Sequence, residues 1–164
     1  LINMHSGFNG LQTGLSSILL ATIIIKCILD DKNENLLVPC SFLGGMLAFW
    51  CYNKYPARIF EGNIGSLSIG SIIGILLVLN GYFFFGVFIM IPHIIDFLML
   101  VYLKLQDYPF IKFGSIDEEG ILVVPNPIKM KFILPYYIRM TEFQAVNCLY
   151  LVTIMFCTMG LIIF

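Results

Sequence analysis

The fold class the sequence predicts is an all-α polytopic membrane protein with about five transmembrane helices and a small cytoplasmic β-hairpin. Three observations predict it. Of the 164 residues, 59% are hydrophobic and only 12% are charged, and the mean hydropathy is +0.93, well above an ordinary globular domain. The apolar residues fall into stretches close to the roughly 20 residues a helix needs to cross a bilayer core. Polar residues gather in the breaks between them. Lipid offers backbone N–H and C=O groups no partner, so stretches of this kind are read as helices.

The first stretch is 11–29 and the second 36–52, separated by the polar turn from Asp30 to Asn35. The third, 66–79, is short, and Gly70 and Gly74 have the G-x-x-x-G spacing that lets a neighbouring helix approach closely. The fourth, 83–103, carries Pro92, which is expected to kink it. The fifth is 143–164. In the last long break, 112–116 and 121–124 are β-prone runs around the acidic turn Asp117-Glu118-Glu119-Gly120 and read as a hairpin, which Pro125-Asn126-Pro127 ends. No internal repeat or linker divides the chain, so 1–164 is read as one membrane domain.

Threading the spans alternately places the Asn3 segment and the loops at about 53–65 and 105–142 on one side. Seven of the nine basic residues (Lys54, Arg58, Lys104, Lys112, Lys129, Lys131, Arg139) share that side, leaving Lys26 and Lys32 opposite. The positive-inside rule makes it cytoplasmic.

Composition also excludes classes. The net charge is −1 and no basic patch points to nucleic acid. The five cysteines show no C-x-x-C spacing, which argues against a zinc site or a disulfide scaffold and favours small buried hydrophobes. No basic stretch precedes an apolar core at the start, so no signal peptide is visible.

Two polar segments could carry chemistry. Asn3-Met4-His5-Ser6-Gly7-Phe8-Asn9-Gly10-Leu11-Gln12-Thr13-Gly14 enters the first helix. Its glycines let backbone approach a ligand and its amides both donate and accept. On spacing alone, a capped helix start explains it as well. The second segment runs from Asn53 to Ser66. Its Gly62-x-x-Gly65-Ser66 turn is expected at a helix N-terminus, where free N–H groups suit phosphate. His93 and Asp96, three apart on one helix face, read equally as structure or as function. The run Asp117-Glu118-Glu119 reads as a solvated turn, and Phe83, Phe84, Phe85 and Trp50 as faces toward lipid or neighbouring helices.

Taken together, Asn3-x-x-x-Gly7-x-Asn9-Gly10-Leu11 and Pro56-x-Arg58-x-Phe60-x-Gly62-Asn63 resemble the UDP-N-acetylglucosamine–dolichyl-phosphate N-acetylglucosamine-1-phosphotransferase family. These are polyprenyl-phosphate sugar-1-phosphate transferases of the glycosyltransferase family 4 type, here in an archaeal-like form. Pro92-His93-Ile94-Ile95-Asp96-Phe97-Leu98 and Gly120-x-Leu122 follow in the family's order. The likeness covers essentially all of the chain.

The resemblance implies an enzyme. A membrane polyprenyl phosphate of dolichyl type attacks the β-phosphate of UDP-N-acetylglucosamine and releases UMP, the first step of lipid-linked glycan assembly. It implies Mg2+ (or Mn2+) held at Asn3 and Asn63, uridine held by Gly7, Asn9 and Phe60, and sugar or phosphate contacts from Lys112 and Arg58. Two departures stand out. Asn63 replaces the family's Asp, and Lys112 is the one basic residue where relatives carry a cluster. The family's upstream acidic pair is not in this sequence, so the catalytic residues are expected upstream and the chain is expected to be the C-terminal part of a larger transferase. A multi-pass protein of the cell membrane is implied for an archaeal-like host, or of the endoplasmic reticulum for a eukaryotic one; a homodimer is compatible with either.

Other readings stay open at this point. One is an undecaprenyl-phosphate transferase using another UDP-sugar. Another is a small-solute transporter fragment, motivated by the short third helix, Pro92 and Asp96. An inactive paralogue is suggested by Asn63 alone.

Overall fold

The computed structural model describes residues 1–106 and 114–164. A 3-10 turn, Ile2–His5, leads into α1, Leu11–Leu29. Helix α2 is Leu37–Asn53, α3 is Gly62–Leu79, α4 is Phe83–Ile89 and α5 is Ile91–Leu105. Strands β1, Ser115–Ile116, and β2, Leu122–Val123, pair antiparallel with Ser115 opposite Val123. Helices α6, Met130–Tyr137, and α7, Glu142–Ile163, follow.

Helix α1 is the hub. It packs on α2, α3 and α7, and its Leu19, Leu20 and Ile23 are fully buried. Its buried hydroxyls find partners within the helix, Ser17 donating to Thr13 O at 2.8 Å and Thr22 to Ile18 O at 2.8 Å. One apolar cluster gathers Leu19, Ile23, Ile73, Phe85 and Ile89 from α1, α3 and α4. A second joins Phe8, Leu11 and Leu15 to Leu122, Phe132 and Leu149. That second cluster seats the hairpin and α6 against the mouth of α1.

Helix α7 begins with a capping box: the Thr141 hydroxyl accepts from the Gln144 N–H, and the Gln144 side chain accepts from the Thr141 N–H. At the far end, Lys26 Nζ donates to Asp30 Oδ1 at 2.7 Å and to Phe164 O at 2.9 Å, tying α1 to α7.

Several expectations change. The chain is mostly helical with a two-stranded sheet. Among the described residues, however, three helices (α1, α3, α7) are long and apolar enough to cross a membrane, or four if α4 and α5 form one span. Helix α2 has 17 residues and is shorter. The expected fourth span is two helices at 65° rather than one kinked rod. The break falls at Met90, and Pro92 lies in the first turn of α5, where a missing N–H costs nothing. Helix α3 starts at Gly62, so the glycine turn expected ahead of it is its own first turn.

A Cβ added at Gly74 would touch nothing within 4 Å, and one at Gly70 would meet Ile2 of the 3-10 turn, so among the described residues it is that turn, not a long helix, that approaches the pair. Of the cysteines, Cys27 and Cys157 are buried whereas Cys40 and Cys51 are exposed on α2. The long break after α5 also holds α6, which the reading of a loop carrying a hairpin did not include. Pro135 lies inside α6, near its end.

Candidate nucleotide and phosphate site

The Asn3 segment is held from three sides. Gly10 sits at the N-cap of α1 with φ +74°, the left-handed region. A Cβ there would also stand 2.9 Å from the Lys54 Cα. Its carbonyl accepts from the Tyr150 hydroxyl at 2.6 Å, and Trp50 Nε1 donates to that same hydroxyl at 3.1 Å. The Asn9 N–H donates to Glu142 Oε1 at the start of α7. Lys131 of α6 donates to Ser6 O at 2.8 Å.

The elbow between α2 and α3 is locked to α1 as firmly. Asn53, 1% exposed, donates from Nδ2 to Ile59 O at 2.8 Å and accepts from the Thr13 hydroxyl at 3.0 Å. The Thr13 hydroxyl also lies 3.1 Å from Glu61 Oε1, so its single proton serves two acceptors. Gln12 Nε2 donates to Ser66 Oγ at 2.6 Å, and Ser66 donates to Gly62 O at 2.7 Å. These bonds fix the residues on either side of Phe60, whose ring is 68% exposed.

Between the two segments lies a cavity of about 340 Å³ lined by Asn3, Gly7, Asn9, Phe60 and Asn63, together with Gln12. All five nucleotide and metal candidates read from the sequence therefore share one cavity. A second, of about 470 Å³, shares Asn3, Ser6 and Asn63 with the first and extends to Asp96, Lys104 and Lys129. Arg58 is exposed and lines neither cavity. Lys112 lies outside the described residues.

Asp96 is the pivot of the second cavity. Its Oδ1 accepts from the Met130 N–H at 2.9 Å, and its Oδ2 lies 3.7 Å from His5 Nδ1. The His5 ring meets His93 edge-on, centroids 4.4 Å apart. Burial first, then the charge of Lys131, pushes the His5 imidazole down to about 4, so it is neutral at pH 7.

Lys104 and Lys129 are cavity residues that the sequence reading placed only among the cytoplasmic basic residues, and Gln12 and Glu61 lay inside its two polar segments without a role. A signal existed for Lys129. It and Lys131 are the two charges in the apolar run from Pro127 to Tyr137, a spacing that is costly unless both find anions.

Comparison with known proteins finds a match over the stretch that holds both the Asn3 segment and the Phe60 elbow. Residues 1–81 match the model of glycosyl transferase family 4. The likeness read from these two loops is thereby borne out. A protein of Methanocaldococcus jannaschii named as a glycosyltransferase is 30% identical over 99% of this chain and 55% of its own length. One of Saccharolobus solfataricus, named as a UDP-N-acetylglucosamine–dolichyl-phosphate N-acetylglucosaminephosphotransferase, is 28% identical over 98% of this chain and 50% of its own. The phospho-N-acetylmuramoyl-pentapeptide-transferase of Enterococcus hirae is 39% identical over 44% of this chain and 22% of its own. The chain thus spans about half the length of the archaeal relatives it matches.

The family's implied divalent metal can be tested against the residues present. The available donors are oxygens: the amides of Asn3 and Asn63, the Glu61 and Asp96 carboxylates, and Gln12 Oε1, a buried atom without a hydrogen-bond partner. An all-oxygen set fits a hard cation such as Mg2+. Among the described residues no group of three His, Cys, Asp or Glu side chains is arranged to hold a metal. The fit is therefore to a cation that shares its shell with substrate oxygens and water, as Mg2+ commonly does.

Proposed function

We propose that this chain forms part of the site at which N-acetylglucosamine 1-phosphate passes from UDP-N-acetylglucosamine to a dolichyl-type polyprenyl phosphate at the cytoplasmic leaflet of the membrane. The observation that carries it is the convergence of Asn3, Gly7, Asn9, Phe60 and Asn63 on one cavity. In this reading a phosphate oxygen of the lipid attacks the β-phosphorus of the sugar nucleotide, the bond from that phosphorus to the bridging oxygen breaks, and UMP leaves. An ionised phosphate needs no base to become a nucleophile. The protein's work is positioning and the neutralisation of oxygen charge.

The residues divide that work. Phe60 offers the uracil an exposed aromatic face, and Asn9 and Gly7 flank it with an amide and an accessible backbone. Asn3 and Asn63 stand on both cavities and so reach the pyrophosphate between nucleotide and acceptor. Lys104 and Lys129 supply positive charge to the phosphates from the second cavity. Mg2+ or Mn2+, when bound, would screen the phosphate charge and orient its oxygens. The Lys112 and Arg58 contacts belong to the same reading as outer phosphate or sugar ligands.

Five crossings complete this topology if α2 counts as a short span and α4 with α5 as a broken one. The likeness to the Enterococcus hirae enzyme favours a second reading of the same class, an undecaprenyl-phosphate acceptor with another UDP-sugar. The test is UMP release by the intact protein in detergent, over a panel of UDP-sugars and both lipid phosphates. Release that requires UDP-N-acetylglucosamine, a polyprenyl phosphate and a divalent metal is expected. Release independent of the lipid, or uptake of a solute by proteoliposomes without nucleotide turnover, would sink the proposal.

A further inference from the structure

Asn3 and Asn63 bring amide oxygens, and no charge, to the part of the wall that the two cavities share. A Mg2+-type cation is ordinarily held by one or two carboxylates together with substrate phosphates. Within this chain, any carboxylate offered to such a cation comes from another residue of the same walls. Among the described residues, two carboxylates line them: Glu61 on the first cavity and Asp96 on the second.

The two differ in setting. Glu61 is partly exposed at the start of α3, and the Thr13 hydroxyl already engages its Oε1. Water can solvate the remainder, so this charge needs no ion. Asp96 is 7% exposed, in the second turn of α5. One N–H donates to it, from Met130 at 2.9 Å, and His5 stands beyond hydrogen-bond reach at 3.7 Å. A carboxylate has about four lone-pair directions, so capacity remains on both oxygens. The Met130 bond fixes the carboxylate, and the charges of Lys131 and Lys129 act on it as well, while lone-pair directions remain for a metal. A buried carboxylate in this setting gains from a cation in the cavity it faces.

Lys104 and Lys129 line the same cavity, so its field is mixed. Phosphoryl-transfer sites have this mixture, because lysines serve the phosphates while a carboxylate serves the metal that bridges them.

We infer that Asp96 supplies the carboxylate for the divalent cation, contributing to the second cavity, which Asn63 also lines, the charge that Asn63 does not carry. The inference rests on the sugar-nucleotide reading above. The placement also explains why Asp96 is tied to Met130. That bond holds the carboxylate and the Lys129 backbone in one arrangement, setting metal charge and phosphate charge at a fixed spacing.

The test is Mn2+ binding to the intact protein in detergent, followed by the electron paramagnetic resonance of free Mn2+, beside calorimetric titration of UDP in EDTA. Asp96→Asn is expected to weaken Mn2+ at least tenfold and leave metal-free UDP binding within twofold. Asn63→Asp in the Asp96→Asn background is expected to return Mn2+ affinity to within threefold of wild type. Should Asp96→Asn fail to fold, Asn63→Asp alone keeps the Met130 contact and is expected to bind Mn2+ about tenfold more tightly; no gain would overturn the inference. Wild-type Mn2+ affinity in Asp96→Asn would also overturn it, as would a loss that follows Glu61→Gln instead. A wild type that does not bind UDP in EDTA counts against the sugar-nucleotide reading, and the comparison of Mn2+ affinities among the variants still decides the role of Asp96.

Discussion

Thr13 of α1 and Asn53 at the end of α2 share a buried hydrogen bond of 3.0 Å, and through the other side of its amide Asn53 holds Ile59 O, the carbonyl just before Phe60. The aromatic wall of the cavity is thus positioned by a residue that does not line it. Asn53→Ala removes both bonds, one of them the buried bond from the Thr13 hydroxyl, a loss of roughly 1–3 kcal/mol. The expected result is a Kd for UDP raised about tenfold together with a lower melting temperature. Calorimetric titration checks it, and unaltered UDP affinity would mean that Phe60 is held by other contacts.

Gly14 tests the other anchor. A Cβ at this position would collide with the Tyr150 hydroxyl and ring, so Gly14→Ala must drive the ring away from Gly10 O. Overpacking of this kind costs about 1–3 kcal/mol. Tyr150→Phe, which keeps the ring and loses the hydroxyl, is expected to cost less, about 1 kcal/mol. Thermal melts in detergent separate the two. A compensating Tyr150→Ala should recover part of the Gly14→Ala loss, and no recovery would place the clash elsewhere.

Much of this architecture was legible because membrane physics writes it in composition. Runs of apolar residues gave the helices, and the side on which lysines accumulate gave the face where Asn3 meets Asn63. The break at Met90 was harder to see. Pro92 announces a disturbance, but a proline fits equally in the first turn of a new helix or at a kink in an old one. Helix α6 was hidden because Pro135 and the short run from Met130 to Tyr137 look like loop. What forms it is tertiary, the burial of Phe132 beside Phe8 and Leu122. Within the site, residues with motif-like spacing were visible, whereas the meeting of Asp96 with the Lys129–Met130 segment is made by folding, which brings the Met130 N–H onto the carboxylate.

Phe60, on the wall of the first cavity, is 68% exposed, and among the described residues nothing covers most of it. Stacking of a base on an aromatic ring contributes about 1–3 kcal/mol. Phe60→Ala should therefore raise KM for the sugar nucleotide by about 10-fold or more while the melting temperature hardly moves, since an exposed ring stabilises little. Phe60→Tyr should retain most of the affinity. A kcat effect without a KM effect would show that the ring serves chemistry rather than uracil.

His5 makes the site sensitive to acid. Its imidazole lies at about 4 in the folded protein against an ordinary 6.5, chiefly because burial disfavours the charged form. The Asp96 carboxylate pulls the other way, but at 3.7 Å it is too far for a hydrogen bond, and burial prevails. Between those two values the unfolded chain binds a proton that the folded chain refuses. Stability from this group is accordingly complete above pH 6.5, and it falls as the pH drops toward 4, through the folded value. Melting temperature measured from pH 7.5 to 4.5 should decline in the wild type and flatten in His5→Leu, which keeps the apolar contacts and loses the titration. Because the 3-10 turn that carries His5 also carries Asn3, UDP affinity should decline over the same interval in the wild type alone; parallel profiles in both proteins would assign the acid sensitivity to another group.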